Sequence, residues 1–209
     1  MENILKEQTQ LDIRTVIGGP IDVNTYVVGV EGGSECVLID PGAEPERVAD
    51  AVGKRRVSAV LLTHAHFDHM LYAGHWLNQG AKLYVHIQDA PALSRPEINM
   101  ATMMRLNFTL PDADVTLVEG SIVREAGMEL TVLHTPGHTA GSICYRHRDV
   151  LFSGDTLFYN SYGRVDLPGG SMNEMVKSLK RLYQLEEHVT VYPGHGTKTK
   201  IAWERGMNL

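Results

Sequence analysis

The chain has ten histidines, and five of them stand where an apolar run gives way to a turn, the position from which side chains are displayed to a substrate. The densest group is Thr63-His64-Ala65-His66-Phe67-Asp68-His69, directly after the strand-like run Val57-Ser-Ala-Val-Leu-Leu62. Neutral imidazole nitrogen and carboxylate oxygen are the donors that zinc, iron and manganese share, and alternate residues of an extended segment can aim two imidazoles at one ion. His64 and His66 therefore suit one ion, with Asp68 and His69 turning to a second. Three more residues follow the same placement rule: His138 in Thr135-Pro-Gly-His-Thr139, Asp155 in Ser153-Gly-Asp-Thr156 and His195 in Pro193-Gly-His-Gly196. Each has a glycine beside it, which lets the backbone turn sharply and approach an ion.

Two divalent ions about 3.5–4 Å apart can share a water, bring its pKa toward neutrality and polarise a carbonyl oxygen. Asp68 and Asp155 are then the candidate catalytic carboxylates, and no side-chain nucleophile is required. No Ser-His-Asp or Cys-His arrangement is evident. A thiolate leaves without a general acid because a thiol pKa near about 8.5 already makes it a good leaving group, whereas an amide nitrogen needs a proton. A thioester or similarly activated ester is the expected substrate class.

The elements that must position these groups follow from periodicity. Strands are expected near 12–17, 24–30 and 35–40, a helix over 45–53, a strand over 57–62, a helix over 69–79 and a strand over 82–86. The segment 88–110 carries Met100, Met103, Met104, Leu106 and Phe108 at mostly helical spacing between Pro96 and Pro111, and reads as one or two inserted helices. Its methionines either pack on the core or wall a pocket, where Met104 and Phe108 would touch substrate. Short strands follow at 115–118, 121–125, 129–134, 142–147 and 150–153. Ser171-Met-Asn-Glu174 is a capping box opening a helix with a one-sided apolar stripe, and strand 189–192 leads into His195 and a short closing helix. Two runs of strands, each trailed by helices, predict an α/β fold of two packed sheets with helices outside.

Composition narrows the function classes. Length, 43% apolar and 21% charged residues fit one globular domain spanning 1–209. The formal charge of −6 disfavours nucleic-acid binding, and the one dense basic run, Lys54-Arg55-Arg56, reads as a helix end facing its own dipole. No run is long and apolar enough for a membrane span, and the first residues show no leader, so a cytoplasmic protein acting on a small molecule is expected; its oligomeric state leaves no trace. Cys36 and Cys144 sit in apolar runs and should be buried thiols.

The pattern His64-x-His66-x-Asp68-His69, then His138, Asp155 and His195, resembles the metal-binding pattern of the metallo-β-lactamase fold superfamily. Thr135-Pro-Gly-His-Thr-Ala-Gly-Ser142, Gly154-Asp-Thr-Leu-Phe158 and Tyr192-Pro-Gly-His-Gly196 resemble more narrowly its glyoxalase II-like (hydroxyacylglutathione hydrolase-like) branch. The resemblance implies a four-layer αββα sandwich with the site at one edge between the sheets. It implies His64, His66 and His138 on a first metal, Asp68, His69 and His195 on a second, and Asp155 bridging. Two divalent ions are implied, zinc in the first place, with iron or manganese able to use the same donors. Gly163-Arg-Val-Asp166 resembles the Gly-Arg-x-Asp near the metals of glyoxalase II-like hydrolases and persulfide dioxygenases. Arg164 would bind a substrate carboxylate or pair internally with Asp166, itself a candidate supporting group. Asp40, ending strand 35–40, could accept a hydrogen bond from a ligand imidazole.

Other branches fit worse. β-Lactamases of this fold lack the bridging aspartate, acyl-homoserine lactonases have a tyrosine where this chain has Phe158, and tRNA-processing ribonucleases need a basic surface. Persulfide dioxygenases, the enzyme alternative, close on Pro-Ala-His-Asp where this chain has Pro193-Gly-His-Gly196. A non-catalytic metal-binding module is the alternative from another class. Full-length glyoxalase II enzymes continue past the last histidine into a helical domain with cations for glutathione. This chain has 14 residues there, with Lys198 and Lys200 the available cations.

Overall fold

The computed structural model describes residues 10–206; the leader reading above falls on residues outside that range. Six strands form a first sheet in spatial order: β1 (Leu11–Gly18), β2 (Val23–Val30), β3 (Glu35–Ile39), β4 (Arg56–Leu61), β5 (Lys82–His86) and β6 (Val115–Leu117). Six more, β7 (Ile122–Glu125), β8 (Met128–His134), β9 (Ile143–His147), β10 (Val150–Gly154), β11 (Thr190–Pro193) and β12 (Thr199–Lys200), form a second sheet in the order β12-β11-β10-β9-β8-β7. Antiparallel pairs join neighbours linked by turns, and parallel pairs appear where a longer excursion intervenes: β3 with β4, β4 with β5, β5 with β6, and β10 with β11.

Side-chain alternation sorts the core into layers. Between the sheets lie Tyr26, Val28, Val37, Ile39, Ala59 and Leu61 from the first, against Leu130, Val132, Ile143, Tyr145 and Phe152 from the second. The opposite faces of the same strands are also covered. Val27, Leu38 and Val60 pack with Val48 and Val52 of α1 (Pro45–Val52), and with Trp76 of α3 (Ala73–Leu77). Leu151 and Val191 pack with Met175, Leu179 and Leu182 of α4 (Met172–Leu182), and with Ile201 of α5 (Ile201–Glu204). Strands buried on both faces explain why 57–62 reads as an unbroken apolar run. The layers are helix, sheet, sheet, helix, as expected. Among the described residues no helix is long and apolar enough to cross a membrane.

Local signals account for most boundaries. Pro45 opens α1 and Gly53, at φ 64, closes it. The Arg55 guanidinium donates to the carbonyls of Ala51 and Val52 in the last turn and pairs with Asp12 at 3.0 Å, so the basic run is a helix end. Two expectations change. The helix expected over 69–79 is two short ones, α2 (Phe67–Met70) and α3, because the Tyr72 amide leaves the helical path to donate to the Pro41 carbonyl. The 88–110 segment holds only two 3-10 turns, Ala90–Ala92 and Ala101–Met104. Proline enters the first turn, and the second lies between left-handed residues Met100 and Arg105 (φ 68 and 57), which no helix accommodates.

Candidate metal centre

His64, His66, Asp68, His69, His138, Asp155 and His195 converge at one edge of the sandwich, each just past the C-terminal end of a strand. β4 delivers the first four, partly through α2, whose start places Asp68 and His69 side by side. β8 delivers His138, β10 Asp155 and β11 His195. All are buried except His195, which is partly exposed. Three sets of donor atoms come within 4.8 Å of one another: His64, His66 and His138; His64, His69 and Asp155; Asp68, His69 and His195. The His66 Nδ1 and His138 Nε2 atoms are 2.8 Å apart. His195 Nε2 lies 3.2 Å from Asp68 and 3.8 Å from Asp155, while His69 Nε2 lies 3.3 Å from both carboxylates. Asp155 also reaches His138 Nε2 at 3.5 Å, so this one carboxylate touches both halves of the cluster.

Outer hydrogen bonds aim the rings. His69 Nδ1 donates to Asp40 (2.9 Å), whose carboxylate also accepts from the Thr63 amide and hydroxyl. The Thr63 hydroxyl in turn accepts from His64 Nδ1 (3.1 Å), and His138 Nδ1 donates to the Arg164 carbonyl (2.7 Å). With those nitrogens protonated, the other ring nitrogen of each presents a lone pair inward. Asp40, read from the sequence as a candidate partner of a ligand imidazole, lies against the His69 ring. The Cβ of any residue other than glycine at 194 would strike both Asp155 and the His69 ring, so Gly194 is what lets these elements close up.

The electrostatics divide the cluster. Burial, then neighbouring imidazoles, drives His64 well below its ordinary value and His66 to about 3, so both are neutral donors. At His69 and His195 burial acts the same way, but Asp68 and Asp155, joined at His69 by Asp40, outweigh it and raise both. Burial raises Asp155, yet His69, His138 and His195 hold it well below the carboxylate range. The donors fit a cation on a direct structural criterion. Among the described residues, His64 Nε2 and His66 Nε2 are buried without a hydrogen-bond partner, an arrangement that costs free energy unless an ion fills it.

Two supporting residues escaped the sequence reading. Asp89, buried past the end of β5, accepts from the Ala65 amide (2.9 Å), the Thr139 hydroxyl (2.8 Å) and the Gly141 amide (2.8 Å). It ties the segment carrying His64 and His66 to the one carrying His138. The rule that exposed the clustered donors, a polar residue just past a strand, also applies to Asp89 after β5. Asn24, buried in β2, donates to the carbonyls of Pro193 and Gly196 (both 2.9 Å) and holds the His195 turn against the first sheet. Its signal was a polar residue inside an apolar strand.

A cavity of about 570 Å³ opens over the cluster, lined by His66, Asp68, His138, Asp155 and His195 on its floor. Arg164, Met100, Met103, Met104, Ile21, Phe67, Phe158 and Leu167 form its walls. Met104 lines the cavity, whereas Phe108 packs on the outer apolar layer. Arg164 makes two 2.8 Å bonds to Asp166 at the cavity wall, so Asp166 supports the arginine and not a ligand imidazole. His86 and His134 stack on each other at 4.2 Å, outside the ligand sets.

The family model described as the metallo-beta-lactamase superfamily matches residues 18–195. The chain belongs to that superfamily. It is 33% identical over 198 residues to "Probable metallo-hydrolase YqgX" of Bacillus subtilis, covering 91% of this chain and 92% of that one. It is 30% identical over 182 residues to hydroxyacylglutathione hydrolase GloC of Haemophilus influenzae, covering 82% and 84%. Three solved structures share the fold. BLEG-1 B3 metallo-beta-lactamase has TM-score 0.87 and 33% identity, covering 92% and 96%. TTHA1623 in a di-iron-bound form has TM-score 0.79 and 34% identity, covering 93% and 98%. ETHE1 from Myxococcus xanthus has TM-score 0.77 and 29% identity, covering 94% and 83%.

Proposed function

We propose that this superfamily member is a metal-dependent thioester hydrolase of the glyoxalase II-like kind, acting on a small molecule in the cytoplasm. One observation carries the reading: apart from the seven-donor cluster, the described residues lining the cavity offer no serine, threonine, cysteine, tyrosine or lysine. The chain therefore brings neither a side-chain nucleophile nor a separate general acid to the reacting carbonyl. A thiolate is the leaving group that departs without one. The similarity to hydroxyacylglutathione hydrolase GloC and the closing Pro193-Gly-His-Gly196 support the same choice over a persulfide dioxygenase.

His64, His66 and His138 would hold a first divalent ion and Asp68, His69 and His195 a second, with Asp155 shared; zinc is the first choice, iron or manganese the alternatives. Bound there, such ions supply Lewis acidity for lowering the pKa of a water and polarising a carbonyl. The chain does the rest. Asp40, Thr63 and the Arg164 carbonyl fix the imidazole tautomers, Asp89 holds the first three histidines in register, and the apolar walls displace water around the ester. Free, buried Cys36 and Cys144 fit a reducing compartment.

The deciding experiment runs two assays on one metal-defined sample: thiol release from S-lactoylglutathione and other 2-hydroxyacyl thioesters, and oxygen uptake with glutathione persulfide. Thiol release without oxygen consumption is expected. Iron-dependent oxygen uptake without thioester cleavage would overturn the reading in favour of a dioxygenase, and silence in both would leave a different substrate or a binding module.

A further inference from the structure

We propose that the cavity over the metal-ligand cluster selects thioesters by an apolar, medium-length aliphatic acyl group packed against a methionine turn; the proposal rests on the thioester reading above. Three segments far apart in sequence turn apolar side chains into this one space. The β1–β2 turn sends Ile21, the 3-10 turn sends Met103 and Met104, and the loop after β10 sends Phe158 and Leu167. Ile21, Met103 and Met104 are 48%, 63% and 45% exposed, so these walls are not buried core. Exposed apolar surface gathered over a candidate reaction centre marks a ligand site, and unbranched methionine adapts to flexible chains.

The turn is also held in place. Met100 and Arg105, at φ 68 and 57, occupy the left-handed region that costs side-chain-bearing residues energy. Buried Asn99 holds it: its side chain donates to the Ala92 carbonyl (3.0 Å) and accepts from the Ala101 amide (3.0 Å). Its own carbonyl accepts from the amide of Phe67 (2.8 Å), the residue before Asp68. A strained turn bonded to the helix that carries two ligands is positioned for the substrate.

The walls offer little to an anionic carrier. Arg164 is the one cation among the described lining residues, and Asp166 already engages it with two hydrogen bonds. Lys198 and Lys200 do not line the cavity, and the Lys200 ammonium sits 5.8 Å from the Trp203 ring centre.

The test measures kcat/KM for acetyl, butyryl, hexanoyl and lactoyl thioesters of N-acetylcysteamine and of glutathione, with the parent and with a Met103→Gln/Met104→Gln double variant. In parallel, calorimetry follows binding of the non-hydrolysable S-methyl and S-hexyl thioethers of N-acetylcysteamine. The parent should prefer hexanoyl over acetyl by at least about tenfold. The double variant should compress that ratio severalfold while keeping the parent's metal content, and S-hexyl should bind more tightly than S-methyl with a negative heat-capacity change. A flat series, lactoyl above hexanoyl, or a preference that survives in the double variant overturns the proposal. If no thioester is cleaved yet S-hexyl binds the more tightly, the apolar selectivity stands and the hydrolase reading falls; equal binding of the two removes both.

Discussion

Among the described residues Asp155 is the one carboxylate that reaches His69, His138 and His195, so its loss should be felt by both halves of the cluster. Asp155→Ala should lower elemental metal content from about two ions per chain toward none, whereas His195→Ala should mainly empty one site. A single tightly held ion in the parent, unchanged in His195→Ala, would defeat the binuclear assignment. Asp89 acts differently, by receiving three hydrogen bonds from two separate segments. Asp89→Ala leaves the Ala65 and Gly141 amides buried and unpaired, and should cost roughly 3 kcal/mol in urea denaturation and lower affinity for the first ion. Asp89→Asn should keep more of both. The seven clustered residues were legible in sequence because donor type and strand-end placement are local properties. Asp89 follows the same strand-end rule, but its role depends on partners 24 to 52 residues away that only folding brings together.

The helix α4 sets the His138 turn. Ser171 caps it by accepting from the Glu174 amide, as the capping box predicts, but the reciprocal bond is absent: Glu174 pairs with Lys177. The Ser171 amide instead donates to the Gly137 carbonyl, joining the start of α4 to the residue before His138. Gly137 has φ 147, and a Cβ there would lie 2.5 Å from the Met175 Cα. Ser171→Ala should therefore cost about 1 kcal/mol with metal content intact. Gly137→Ala should cost roughly 3 kcal/mol and also weaken the first metal, because the turn must move off the helix. Equal effects of the two substitutions on metal content would show that α4 does not position His138.

For the whole molecule, the donor cluster is where the two sheets meet, since β3 and β4 of one and β8, β10 and β11 of the other all end there. Ions bound only by the folded arrangement must stabilise the sandwich as a whole. At a thousandfold excess over Kd the gain is about 4 kcal/mol, which for a chain of this size corresponds to roughly 10 °C in Tm. Stripping metal with dipicolinate should lower the melting temperature by about that amount, and stoichiometric zinc should restore it. An unchanged melting curve in a sample shown to be metal-free would mean that the sheets are closed without help from the cluster.

The amino-acid sequence by itself determined the donor set, the strand runs, the caps of α1 and α4 and the order of layers, because each rests on residue type and short-range periodicity. Tertiary structure alone decided three things. The Met103–Met104 segment is a strained turn and not a helix, because Asn99 bonds it to the Phe67 amide and to Ala92, contacts that no spacing rule encodes. Phe108 faces the outer apolar layer, since side-chain direction within irregular chain depends on what packs beside it. The His195 turn is held by Asn24, 171 residues earlier in the chain. Local propensity is written in neighbouring residues, whereas these positions are set by hydrogen bonds and packing between segments that meet only when the two sheets close.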